Sequence, residues 1–223
     1  MNDVINNFEE FEEPEGFSNL KTDNLIFEIW IKPKLAFTYL FKYDSNKYVQ
    51  ILLITSALTA TFERAISKNI GWYDSYNTSY FIGGLLGGGL MVYAIYYITA
   101  WFLHYFGKAF LNGQASAKDF RTVIAWANIP SIASAIFSFI ILVIYGSHAL
   151  SDNYFPISEV ERIVFISLAL IQAILGMWTL IITITGVKEI QKFSTLKAFG
   201  NILLPFIILV IVFAIIFLIG NLL

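Results

Sequence analysis

With 57% hydrophobic residues and only 13% charged among 223, the chain departs from a soluble domain, where about a quarter of residues are charged. It has no cysteine, which excludes a disulfide framework, a thiolate metal site and a cysteine nucleophile. The net charge of −2 is less informative than the placement of the charges, and a nucleic-acid partner is not expected.

Residues 1–22 form an acidic polar tail, with Glu9, Glu10, Glu12, Glu13 and Glu15 interleaved with Phe8, Phe11 and Phe17. Such a charge density resists folding. The tail reads as a disordered segment or as an acidic-aromatic docking strip. It lacks the basic patch and apolar run of a cleavable signal peptide.

Residues 23–46 read as amphipathic helices. Asp23 is placed to cap the run Leu25 to Ile31, and Pro33 suits the first turn of a second helix. Apolar side chains beside Lys32, Lys34 and Lys42 suggest helices on the membrane surface. The other reading is a short connector packed on the bundle.

Residues 47–223 hold five apolar blocks, at about 48–62, 83–106, 122–145, 163–187 and 199–222. The expected fold is all-α, a polytopic bundle of five transmembrane helices. The block 83–106 would be about 36 Å long as a helix, at ~1.5 Å per residue, enough to cross a hydrocarbon core of about 30 Å. Its first turns carry Gly83, Gly84, Gly87, Gly88 and Gly89. Small residues spaced by four let another helix approach closely, so this face is expected to be a packing centre. Gly176 in the fourth block offers a further small-residue seam. Ser158 with Glu161, and Ser116 with Asp119, mark helix starts as capping boxes.

Basic residues fix the expected topology. Assigned alternately to the two sides, 11 of the 14 Lys and Arg fall with the N-terminus. The N-terminus is then cytoplasmic and the C-terminus outside.

Intramembrane polar residues are the first place to look for chemistry. The candidates are His104 near the inner end of the second block, Asn128 just before Pro130, and Gln172 near the middle of the fourth. His104 is read as bonding water or a carbonyl, and Asn128 and Gln172 as interhelical glue. Glu63 and Arg64 are read as interfacial, at the outer end of the first block. The other histidine, His148, falls on the opposite side from His104, so a two-histidine metal site is not expected, nor is any cofactor or catalytic group. Tyr93, Tyr96, Tyr97 and Trp101, with Trp30, Trp126 and Trp178, read as an aromatic interfacial belt.

Four segments together resemble a known family. They are Ile29-Trp30-Ile31-Lys32-Pro33-Lys34; the glycine-rich entry to the second block; Phe106-Gly107-Lys108 through Asn112-Gly113-Gln114-Ala115-Ser116, running on to Trp126-Ala127-Asn128-Ile129-Pro130; and Trp178 followed by Gly186-Val187-Lys188-Glu189-Ile190-Gln191-Lys192-Phe193-Ser194. In order and spacing they are similar to bacterial members of the Yip (Ypt-interacting protein) domain family, over about residues 25–222. The resemblance implies a five-span bundle with a cytoplasmic N-terminus. It transfers no catalytic residue, and the acidic tail lacks the eukaryotic motif, so Rab binding is not carried over. The expected function is a non-enzymatic scaffold or adaptor, working by helix packing and its cytoplasmic face, with lipid and other membrane proteins or further copies as partners. The alternative is a permease or channel lined by the second, third and fourth spans.

Overall fold

The structure is a computed structural model that describes residues 24–43, 46–67, 78–145 and 158–220. All the described regular structure is helical: α1 (Leu25–Ile31), α2 (Pro33–Tyr43), α3 (Val49–Ser67), α4 (Thr78–Leu111), α5 (Ala117–Ala127), α6 (Ile129–Tyr145), α7 (Glu159–Gln191) and α8 (Thr195–Gly220). Four helical stretches are long and apolar enough to cross a membrane: Ile82–Leu111, Ala117–Tyr145, Glu159–Gln191 and Thr195–Gly220. The second of these is α5 and α6 together. The acidic tail at 1–22 and His148 lie outside the described residues.

Helix limits follow local chemistry. Ser116 accepts from Asp119 N–H while the Asp119 carboxylate accepts from Ser116 N–H, closing the expected capping box at α5. Ser158 and Glu161 do the same at α7. Pro33 lacks the N–H that would continue α1, and the Lys32 carbonyl instead starts α2 by accepting from Ala36 N–H. At the far end of α7, Lys192 takes a left-handed backbone (φ 54°, ψ 36°), and Phe193 N–H reaches back to Lys188 O. This is the six-to-one bond of a Schellman turn, and it releases the chain into α8.

The third apolar block is broken beside its proline, as Pro130 leads one to expect. Asn128 ends α5, its N–H donating to Ile124 O, and its own carbonyl begins α6 by accepting from Ile132 N–H. The cause is Pro130, which has no N–H and restricts the residue before it. Asn128 is therefore a junction residue and not a mid-helix one.

α3 packs along α4 and α6, α4 also on α5 and α8, and α7 on α2, α5, α6 and α8. The burial is uneven along the bundle. The main core joins Leu25, Ile29, Phe37 and Leu40 of α1 and α2 to the start of α3, the end of α4, all of α5, the end of α7 and the start of α8. A small second cluster, Ile141 and Tyr145 with Phe62 and Leu168, sits at the opposite end. One end of the bundle is thus capped and densely packed. From the other side project apolar side chains such as Val210, Phe213 and Phe217 of α8.

α1 and α2 belong to that core. Leu25 and Ile29, one turn apart, are fully buried, as are Ala36, Phe37 and Leu40. Phe27 and Ile31 remain 73% and 78% exposed on the opposite side. Trp126, expected in an interfacial belt, is instead completely buried and donates Nε1–H to Lys47 O at 3.2 Å. An indole N–H taken into a core must find an acceptor, and the turn before α3 supplies one.

Candidate functional site: the capped end and the polar seam

The capped end is assembled from residues far apart in sequence. α4 closes with Asn112 in the left-handed region (φ 55°), and Gly113 N–H turns back to Gly107 O at 2.9 Å. This turn lies against the last residue of α7. Gln191 Oε1 accepts from Gln114 N–H at 2.7 Å and Ala115 N–H at 3.0 Å. His104 Nδ1 meets Ala115 O at 2.8 Å, so the loop is held from α4 as well. Asn201 of α8 donates Nδ2–H to Leu103 O at 3.0 Å. Side chains from three helices thereby hold the end of α4 and the turn that follows it.

Glycine permits this approach. A Cβ at Gly107 would lie 2.6 Å from Asn201 Oδ1 and 2.9 Å from Gln191 Nε2, and one at Gly113 would lie 2.5 Å from both amide atoms of Gln191. Gly186 admits α2 and α5 to α7: a Cβ there would meet Val123 Cγ1 at 2.6 Å and Phe37 Cε2 at 2.9 Å. Beside it, Glu189 Oε1 accepts from Thr38 Oγ1 at 3.2 Å and pairs with Lys192 Nζ at 3.0 Å, tying α2 to the end of α7. Ser194 Oγ accepts from Lys197 N–H and starts α8. Trp30 packs on the same core from α1, and Pro130 is buried at the start of α6. Trp30, Pro33, Gly107, Gly113, Gly186, Glu189 and Ser194, dispersed over the chain, thus converge on one end of the molecule.

The glycines of the second block behave differently. A Cβ at Gly83, Gly84 or Gly87 would meet nothing within 4 Å, and the same holds for Gly176. The expected packing at these four positions is not formed within the described residues. Close contact is made one step along the helix. A Cβ at Gly88 would lie 2.6 Å from Thr61 Cγ2, and one at Gly89 2.8 Å from Leu58 Cδ2. The reason is angular. α3 is the described neighbour on this stretch and crosses α4 on the Gly88–Gly89 side, leaving the Gly83/Gly87 stripe outward.

A second polar zone runs between α3, α6 and α7. Gln172 Nε2 donates to Ser138 Oγ at 2.6 Å and approaches Ser134 O at 3.5 Å. Ser131 and Thr179 hydroxyls meet at 2.9 Å. Gln172 therefore joins two helices through α6 serines. Asn128 joins α5 to α6 through its backbone. Glu63 completes the seam: its Oε1 is in hydrogen-bond contact with Ser134 Oγ. The sequence places Glu63 at the outer end of the first block; the structure turns its carboxyl to Ser134 of the Ala117–Tyr145 stretch, which is almost wholly buried. Side chains on a helix tilt toward its N-terminus, so a residue late in α3 carries its carboxyl back into the bundle. Among the described residues, no group of three or more His, Cys, Asp or Glu is placed to hold a metal ion.

Near the capped end, α3 and α4 are pinned by a third group. Gln50 Nε2 donates to Tyr97 OH at 2.9 Å, and Tyr93 OH donates to Gln50 Oε1 at 2.6 Å. The Arg121 guanidinium lies 4.7 Å from the Tyr97 ring centroid. Tyr93 and Tyr97 thus hold helices together and are not simple belt residues. Gln50 carries no sequence signal beyond being a lone amide in an apolar block.

Long apolar helices, a main core gathered at one end and polar side chains spent on joining helices define the class: a polytopic helical membrane protein. Within it, the chain belongs to the Yip1 domain family, whose match covers residues 27–216 and includes every motif residue gathered at the capped end. No curated protein and no solved structure matches the chain.

Proposed function

We propose that this protein is a non-enzymatic membrane scaffold or adaptor whose capped end is the partner-binding face. The observation that carries the reading is the convergence of the dispersed motif residues on that end, where they hold backbone turns and helix ends in place. Rigid packing below a surface that leaves Phe27, Ile31 and Leu196 exposed beside Lys32, Lys34 and Lys197 suits recognition of another protein better than turnover of a substrate. On this reading α3 is a fifth, short span, and the amphipathic pair α1–α2 lies at the interface. The capped end faces the cytoplasm of a bacterial cell and the C-terminus lies outside, in keeping with the basic-residue count.

A photo-crosslinking scan tests the proposal. A benzophenone side chain at position 27, 31 or 196 should capture protein in intact cells, whereas one at 210 or 213 should capture lipid. Protein adducts confined to 210 and 213 would move the partner face to the other end.

A second reading, a permease or channel, is favoured by the seam of Ser131, Ser134, Ser138, Gln172 and Thr179 between α6 and α7. It requires water along that seam. A cysteine at position 138 or 172 that reacts with a small hydrophilic thiol reagent in membranes would favour it over the scaffold.

A further inference from the structure

The seam contains a hydrogen-bond count that ordinary protonation states do not satisfy. Ser134 Oγ touches two oxygens, Glu63 Oε1 and, at 2.5 Å, Ser131 O. A serine hydroxyl has one hydrogen to give, and a backbone carbonyl can only accept. If Glu63 were a carboxylate, it too could only accept. One of the two contacts would then set lone pair against lone pair at a serine that is itself buried. Each contact has a hydrogen of its own when Glu63 carries the proton and donates to Ser134 Oγ, which donates to Ser131 O.

We propose that Glu63 is a proton-binding site: a neutral carboxylic acid in the resting protein, whose single proton closes the contact between α3 and α6.

The surroundings agree. Ser134 of α6 meets Glu63, and the seam beside it is lined by neutral groups, Ser131 with Thr179 and Ser138 with Gln172. On α4 the titratable group within electrostatic reach is Tyr96, which is neutral when protonated. Arg64 follows on α3 but points about 100° round the helix and is exposed. Thr38 supplies a contrast. Its hydroxyl also faces a carbonyl and a carboxylate, Lys34 O and Glu189 Oε1, at the longer distances of 2.9 and 3.2 Å. Glu189, however, has Lys192 Nζ at 3.0 Å to balance its charge. Burying an unbalanced carboxylate, even in part, disfavours its charged form. Loss of the proton leaves a charge that must leave the seam or draw in water, and α3 loosens from α6. The linkage sign follows: a contact that needs the bound proton stabilises the fold at low pH and is lost as pH rises.

Infrared spectroscopy of the full chain in lipid tests this. At neutral pH exposed carboxylates are ionised, so a neutral carboxyl C=O band reports an acid such as the one proposed. The band should be present in the wild type and absent in Glu63→Gln, whose amide can still donate to Ser134. Between about pH 5 and pH 9 the melting temperature should fall for the wild type more than for Glu63→Gln. Should Glu63→Gln fail to assemble, Ser134→Ala should keep the band and shift it to higher wavenumber, because the acid loses its acceptor. A wild type without the band, a band that survives Glu63→Gln, or one unmoved by Ser134→Ala would each overturn the proposal.

Discussion

Gln191, the last residue of α7, lies so close to Gly113 that any side chain on Gly113 would overlap its amide. That amide cannot step aside, because its oxygen is already taken by the N–H groups of Gln114 and Ala115. Gly113→Ala should therefore destabilise the protein by about 1–3 kcal/mol, as overpacking of a filled site does. Gln191→Leu should cost at least as much, since it leaves the buried Ala115 N–H unpaired, at roughly 1–3 kcal/mol, and takes the acceptor from the part-buried Gln114 N–H as well. Melting temperature in mild detergent measures both. If Gly113→Ala melts with the wild type, the turn between α4 and α5 is not held as described.

The glycines of α4 divide into two kinds. At Gly88 a larger side chain runs into Thr61, whose hydroxyl is tied to Ala57 O at 2.8 Å and so resists turning away. Gly88→Leu should push α3 from α4 and lower the melting temperature of the monomer. Gly84→Leu and Gly176→Ala meet open space among the described residues and should leave the monomer unchanged, or stabilise it by up to ~1 kcal/mol through helix propensity. Loss of a detergent-stable oligomer in Gly84→Leu, with monomer melting intact, would show the outward stripe meeting a second copy.

Tyr93 and Tyr97 share Gln50 across the α3–α4 contact. Interhelical hydrogen bonds of this kind average about 0.6 kcal/mol in membrane proteins and reach ~1.7. Gln50→Leu and the pair Tyr93→Phe with Tyr97→Phe should each lower stability by about that amount. Combined, they should cost less than the sum, because they remove the same bonds. Strict additivity in this cycle would mean that the three groups do not interact.

Topology can be read without background, since the chain has no cysteine. Ser75→Cys and Ser151→Cys should react with an impermeant maleimide in intact cells, and Asn112→Cys and Ser194→Cys should not. The opposite pattern would place the capped end outside and reverse the proposed partner face.

Several site residues are legible in the sequence alone because their roles are local. The boxes at Ser116 and Ser158 need only a hydroxyl and an acid three residues apart. His104 on a carbonyl and Gln172 between helices follow from having one polar group in an apolar run. Glu63 is not legible in this way, because its position in the chain locates a Cα, whereas a helical glutamate can carry its carboxyl a turn away. At Gly83, Gly84 and Gly87 the spacing identifies a smooth stripe but not the side from which another helix arrives.

Composition and the lengths of the apolar runs determined that this is a helical membrane protein, since a backbone in lipid must satisfy its own hydrogen bonds along the chain. The order of four short motifs determined its family. Only the tertiary structure decided that those motifs meet at one capped end, that Trp126 is core and not belt, and that Glu63 shares a hydroxyl with the Ser131 carbonyl. These depend on how helices cross and rotate against one another. Crossing is fixed by packing between residues distant in the chain, such as Gly186 against Phe37 or Gly107 against Asn201, which no local pattern encodes.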